Sequence, residues 1–255
     1  MSGIPRIDQG GFVGGWFTRL LDWVYPPSCG ICETPLNQGR ALCEPCRQDL
    51  PRLADPYCSV CAEHFDGAVE PGFKCPNCHE RKLNFDFARP ALAHDERSMS
   101  LIHDLKYRRH LHLAAELGGL AAEAFDDERL ERAIRLKWPL IPVPLHPGRL
   151  RSRLFNQADE IAQVVARLRG LSVLPALKRT RRTETQTRLT RHQRLANLRG
   201  AFSLTRRGQR FAEEKPAGAI LIDDVFTTGA TVDECARILR RGGVQKVIVV
   251  TVMRG

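Results

Sequence analysis

Hydrophobic and polar positions along this chain separate strands from helices before any single residue is considered. Near the C-terminus, Ala217 to Ile222 and Val247 to Val252 are apolar runs free of charge. Between them, Thr231 to Arg241 repeats its apolar positions at helical spacing. Short continuous apolar runs fit strands buried on both faces, and the intervening pattern fits a crossover helix. Gly242-Gly243 would end that helix, because glycine closes a last turn without steric cost. Upstream, Phe85 to Ala93 reads as a strand in which Pro90, lacking an N–H, marks an edge or a bend. Trp138 to Val143 reads as a short strand stopped by Pro144 and Pro147.

Helical spacing recurs over Ser98 to Lys106, with Leu101, Ile102 and Leu105 on one face. It recurs over the Ala- and Leu-rich Leu111 to Phe125, over Asn156 to Leu168 with Ile161, Val164, Val165 and Leu168, and over the basic Thr187 to Leu198. Strands alternating with helices predict an α/β fold, a mostly parallel sheet flanked by helices with ligands at the carboxyl ends of the strands. A separate stripe, Trp16, Leu20, Trp23 and Val24, predicts an amphipathic helix within residues 1–27. It is expected to pack on another part of the protein, with docking on a membrane surface the alternative. The stretch lacks a basic start and a small-residue cleavage site, so it does not read as a signal peptide. No apolar run approaches transmembrane length.

The strand that begins at Ala217 runs into chemistry. Residues 219–231 read AILIDDVFTTGAT. Two adjacent carboxylates, Asp223 and Asp224, are delivered to the mouth of the sheet, and adjacent buried acids repel unless a cation or ligand stands between them. The small-residue loop Thr227-Thr228-Gly229-Ala230-Thr231 then opens a helix, whose free N–H groups favour an anion. The threonine hydroxyls suit phosphate oxygens. The carboxylates suit the vicinal hydroxyls of a sugar, or a Mg²⁺ ion held beside them. No Gly-Lys-Ser/Thr follows the glycine, which excludes a P-loop.

Eight of the nine cysteines form four C-x-x-C pairs: Cys29/Cys32, Cys43/Cys46, Cys58/Cys61 and Cys75/Cys78. Two such pairs complete one tetrahedral site, so eight thiolates make two structural Cys₄ zinc sites. Sequential pairing, first with second and third with fourth, is expected, and interleaved pairing stays open. Disulfides are the competing reading, disfavoured by the absence of a secretory signal, and an iron–sulfur cluster is a lesser alternative. His64 and His79 are expected on the surface, since the thiolates already saturate two ions. Cys235 reads as an inert core cysteine.

The formal net charge is +10 over 255 residues. Twelve Lys/Arg fall between Lys178 and Lys215 against three acids. Such a field attracts polyanions, whether pyrophosphate or nucleic acid. Only Phe202 and Phe211 interleave with it, so a base-stacking platform there is poorly supported.

The acid pair and its loop resemble the phosphoribosyl pyrophosphate (PRPP) motif of type I phosphoribosyltransferases. The chain as a whole resembles the ComF family. The order of hydrophobic helix, cysteine-rich ribbon and phosphoribosyltransferase-like domain carries that resemblance. So do His103-Asp-Leu-Lys-Tyr107, Pro142-Val-Pro-Leu-His146, Phe155-Asn-Gln-Ala158 and the stretch from Arg194 through Asn197 to Phe202. It implies boundaries of 1–27, 28–82 for a double zinc ribbon and 83–255 for the phosphoribosyltransferase-like domain. It implies that Asp223, Asp224 and Thr227 to Thr231 hold the ribose and 5′-phosphate of PRPP with Mg²⁺. Leu105-Lys106-Tyr107 resembles the pyrophosphate loop, with Lys106 neutralising the departing diphosphate. Arg179 to Asn197 resembles a mobile loop, with Arg179, Arg182, Arg188 and Arg194 as candidates for pyrophosphate contact. Relatives carry glycine where Leu154 stands, so a different local turn is expected there.

Two functions follow from the resemblance. One is a transferase that moves phosphoribose to an unnamed acceptor and releases pyrophosphate. The other is a non-catalytic zinc-ribbon protein that binds nucleic acid and uses PRPP as a regulatory ligand. Purine-salvage members carry an acid where Thr227 stands, which argues against hypoxanthine or guanine as acceptor. The family is linked to uptake of transforming DNA, which implies a cytoplasmic protein whose partners include single-stranded DNA and DNA-processing proteins. Phosphoribosyltransferases often dimerise, so a homodimer is a further expectation.

Overall fold

The computed structural model describes residues 28–36, 40–107, 110, 112–181 and 198–255. The N-terminal stripe, almost all of the Thr187 to Leu198 helical pattern, and Arg182, Arg188 and Arg194 lie outside the described residues.

Two short helices belong to the ribbons, α1 (Glu44–Gln48) and α2 (Pro76–His79). The elements that follow are β1 (Phe87–Leu92), α3 (Glu96–Tyr107), α4 (His112–Glu123), α5 (Glu131–Arg135), β2 (Leu140–Pro142), α6 (Pro147–Arg153) and α7 (Gln157–Arg169). The chain continues through β3 (Leu177–Arg179), β4 (Phe202–Leu204), α8 (Arg206–Glu213), β5 (Ala219–Phe226), α9 (Ala230–Gly242) and β6 (Val247–Arg254). The main sheet runs in the order β1-β6-β5-β2, every pair parallel. β3 and β4 form a separate antiparallel pair.

Strand alternation divides the core into two layers. Ile220, Ile222, Ile248, Val250 and Val252 face the layer built from α3, α4, α7 and the first ribbon. Ala219, Leu221, Val247 and Val249 face the layer of α9, the β3–β4 pair and the second ribbon. That two-sided burial explains why β5 and β6 read as continuous apolar runs rather than alternating ones. Helices α4 and α7 approach closely: a Cβ at Gly118 would lie 2.5 Å from Cβ of Val164.

β1 is an edge strand, as Pro90 predicts, but its edge is not open. Leu53 N donates to Ala91 O at 2.9 Å, Ala93 N to Pro51 O at 2.9 Å, and Ala88 N to Val60 O at 2.8 Å. The ribbon segments thereby cover backbone groups that would otherwise invite another chain. The first ribbon is also held to α4 by ion pairs from Arg47 to Glu116 (2.7 Å) and Glu123 (2.6 Å), and from Arg52 to Glu123 (3.0 Å).

Candidate functional site

β5 extends past its apolar run, because β6 pairs with it as far as Phe226. Asp223 and Asp224 are therefore strand residues at the carboxyl end of the sheet, with Asp223 opposite the buried Thr251. Alternation sends successive side chains to opposite faces. Asp224 is 9% exposed, and its Oδ2 lies 2.8 Å from Nζ of Lys106, near the end of α3. Asp223 Oδ1 accepts from the N–H of Asp224 at 3.0 Å, and Asp224 Oδ1 accepts from the N–H of Val225 at 2.7 Å. Burial, and then the charge of Asp224, push the Asp223 carboxyl up to about 7, against the pull of the Asp224 N–H, Lys106 and Arg179. A strand that ends on two carboxylates this close holds one of them at a cost, as sites built to receive a cation or a polyol do.

The loop that follows has one conformation built into it. Gly229 sits at φ 73°, ψ 0° and caps α9, its carbonyl accepting from Asp233 N at 2.8 Å. A Cβ there would meet Cζ of Phe226 at 2.7 Å, so both the left-handed backbone and the ring beneath require glycine. Phe226 is in turn packed edge-on against Phe85, with ring centroids 5.8 Å apart. Arg254 donates through Nη1 to Phe226 O and Thr227 O, both at 2.9 Å, and pairs with Glu63 of the second ribbon. Thr228 Oγ1 accepts from Ala230 N at 3.5 Å. Thr227 is exposed, Thr228 and Thr231 half-buried, and Ala230 buried. The first-turn amides of α9 have no intrahelical partner, and apart from that contact of Ala230 they are available to an anion.

Arg179 lies on β3 opposite Phe202, its guanidinium 5.3 Å from that ring. Burial lowers its pKa, Arg149 lowers it further, and the charge of Asp223 opposes them. The acid pair, Lys106 and Arg179 thus share one electrostatic neighbourhood, although they come from three separate parts of the sequence. The Tyr107 side chain is 62% exposed. It lies against His103 (centroids 4.5 Å apart) and under the Arg153 guanidinium (4.8 Å from the ring).

The ribbons resolve the cysteine pairing. Cys29, Cys32, Cys43 and Cys46 form one cluster and Cys58, Cys61, Cys75 and Cys78 the other, with the sulfurs of each cluster within 4.8 Å of one another. Pairing is sequential, and the interleaved alternative is excluded. Sγ of Cys32 is 3.6 Å from Sγ of Cys43, and Sγ of Cys61 is 3.6 Å from Sγ of Cys75. A disulfide needs about 2 Å, whereas zinc–sulfur bonds of about 2.3 Å give a tetrahedral edge of about 3.8 Å. Backbone N–H groups of Cys43 and Cys75 point at Sγ of Cys29 (3.4 Å) and Cys58 (3.3 Å), the same contact in both ribbons. The donor set fits zinc, with all four positions filled by protein, so each site is structural rather than catalytic. His64 and His79 are exposed.

A family model described as a double zinc ribbon domain matches residues 20–79. Competence protein F of Haemophilus influenzae is 30% identical over 222 residues, covering 86% of this chain and 93% of that protein. The chain belongs to the ComF family. DNA utilization protein YhgH of Shigella flexneri is 31% identical over 225 residues, covering 86% of this chain and 92% of its own. The protein of that name from Salmonella typhimurium is 28% identical over a similar span.

Leu154 stands where ComF relatives carry glycine. It adopts the left-handed conformation itself (φ 71°, ψ −11°), ends α6, and donates its N–H to Leu150 O at 2.7 Å. Its side chain is 69% exposed, so nothing in the packing resists, and the strain is accepted locally. The turn leads into Asn156, whose Nδ2 donates to Val143 O at 3.0 Å and so ties α7 to the carboxyl end of β2.

Other supporting residues escaped the sequence reading. Asp233 accepts from Asn84 N at 2.6 Å and Asn84 Nδ2 at 3.2 Å, which fastens α9 to the segment that leaves the second ribbon. The buried Glu234 accepts from Gly200 N at 2.8 Å and pairs with Arg237 at 2.7 Å. Both acids fall among the polar positions of the Thr231 to Arg241 pattern, where nothing in the spacing marks them. β3 and β4 are three residues each, too short for periodicity to register. A cleft of about 440 Å³ on the second ribbon is lined by Asp55, Tyr57, Glu70, Phe73 and Arg129 among others, and shares no residue with the acid pair. Its arginine is already engaged by Asp127 and by Ser59 O.

Proposed function

We propose that this ComF protein binds PRPP with Mg²⁺ at the end of β5 and acts in the cytoplasm in the handling of imported DNA. The observation that carries the ligand reading is the acid pair at the carboxyl end of a central parallel strand, followed by the left-handed Gly229 at the head of α9. Asp223 and Asp224 would take the ribose hydroxyls and the metal. Thr227 to Thr231 would take the 5′-phosphate through first-turn amides and hydroxyls. Lys106, already 2.8 Å from Asp224, would meet the diphosphate, and Arg179 would add its charge. Mg²⁺ supplies neutralisation of the diphosphate charge when bound. The DNA reading rests on the relatives, named as competence and DNA utilization proteins.

Isothermal calorimetry with PRPP and Mg²⁺ tests the reading. The wild type is expected to bind, and the Asp223→Asn/Asp224→Asn double variant to lose binding while keeping its zinc. Equal affinity in the two would refute it. Pyrophosphate release in the presence of candidate acceptors then separates a transferase from a protein that uses PRPP as a regulatory ligand.

A further inference from the structure

Single-stranded nucleic acid offers two recognisable groups, a phosphate every nucleotide and the face of an unstacked base. A site for it therefore needs unneutralised cations beside an accessible aromatic ring. The basic run between Lys178 and Lys215 is rich in Lys and Arg, but its two aromatic rings are covered. Phe202 is 3% exposed under Arg179, and Phe211 packs against the core. Both features do meet elsewhere. Tyr107, at the end of α3, leaves 62% of its surface to solvent. The Arg153 guanidinium is 4.8 Å from its ring, and His103 lies on the preceding turn with its own ring 4.5 Å away.

Arg153 belongs to α6, which also carries Arg149 and Arg151. Among the described residues none of these three arginines forms an ion pair with an acid, and the sequence holds no Asp or Glu between Trp138 and Ala158. Leu150 (42%) and Leu154 (69%), from the same helix and its cap, are also exposed. The surface is thus cationic, partly apolar and aromatic, with its arginines unspent.

We propose that Tyr107, with Arg153 and His103, is a base-stacking platform for single-stranded nucleic acid, whose phosphates run along Arg149, Arg151 and Arg153. An arginine stacked on the tyrosine extends the planar surface and adds charge to it. A duplex hides its base faces and an acidic peptide has none, so single strands are the partner this chemistry selects. Lys106 and Tyr107 are consecutive, so the strand would pass beside the phosphoribosyl pocket rather than over the basic run. The inference rests on the DNA-handling part of the proposed function.

The test is fluorescence anisotropy of the full-length, zinc-loaded protein with a labelled oligothymidylate and with a duplex of equal length. The wild type is expected to prefer the single strand. Tyr107→Ala is expected to weaken it at least about fivefold, the lower bound for one lost stacking contact, while Tyr107→Phe stays near the wild type. The Arg149→Ala/Arg151→Ala/Arg153→Ala variant should flatten the log–log salt slope by about 2, since three phosphate contacts each contribute about 0.7. Zinc content and the thermal transition check that the variants are folded, which the exposure of Tyr107 favours. If the wild type binds single strands and Tyr107→Ala binds equally well, the platform is refuted and the DNA reading stands. A preference for duplex, or a loss in Tyr107→Phe as large as in Tyr107→Ala, also overturns it. No binding by the wild type overturns the platform and the DNA reading together, and leaves the PRPP reading untouched.

Discussion

Asp223 should make the empty protein less stable, and replacing it should show by how much. Its carboxyl is pushed up to about 7, first by burial and then by Asp224. In the unfolded chain it titrates near about 3.9. A carboxyl raised on folding contributes stability that is complete below the unfolded value and is lost as the pH rises through the folded one. At 1.36 kcal/mol per unit, the loss has a ceiling of about 4 kcal/mol at about pH 8 and of roughly 1–2 kcal/mol at about pH 5. Asp223 keeps some contact with solvent, which reduces both figures, to roughly half. Asp223→Asn removes the titration and preserves the shape. The variant should therefore melt above the wild type by roughly 4–8 °C at about pH 8, where about 2 kcal/mol moves a domain of this size by that amount. The gap should shrink as the pH falls toward about 5. Scanning calorimetry without PRPP or Mg²⁺ measures both. A variant that melts with or below the wild type at the higher pH, or a gap that ignores pH, would refute the claim that the acid pair is held at a cost.

Two further outcomes are expected. Leu154→Gly should stabilise the protein by about 1 kcal/mol, because glycine takes φ 71° without the Cβ clash and an exposed leucine surrenders no packing; denaturant titration checks it, and a loss of stability would place the strain elsewhere. Protein purified without chelator should carry two zinc ions per chain, one for each cluster, and Cys58→Ser should lose one of them. Its thermal transition should fall as well, since Cys58, Cys61, Cys75 and Cys78 lie in the same buried layer as Phe85 and Val249. Elemental analysis near zero for the wild type would sink the metal reading.

Helix and strand boundaries were legible wherever the pattern was long. The Asn156 to Leu168 pattern became Gln157–Arg169, and Thr231 to Arg241 became Ala230–Gly242. β5 ran further than its apolar residues suggested, through the acids to Phe226. Polarity reports burial, whereas strand length follows from the partner, and β6 continues alongside. The left-handed backbone of Leu154 has a related origin. Propensity assigns a cost to a left-handed leucine but does not say whether the surrounding turn imposes it.

What the sequence determined by itself is what consecutive residues encode: the alternation of strands and helices, two acids followed by a glycine loop, and four C-x-x-C pairs. Each is local chemistry, fixed by side chains a few bonds apart. The tertiary structure decided everything that depends on which distant segments meet. It brought Lys106 to Asp224, set Arg179 near Asp223, and joined the cysteine pairs in sequence. It also laid ribbon backbone along the edge of β1 and placed Arg153 over Tyr107. Sheet order and crossovers choose those meetings, and no periodicity in one chain records them.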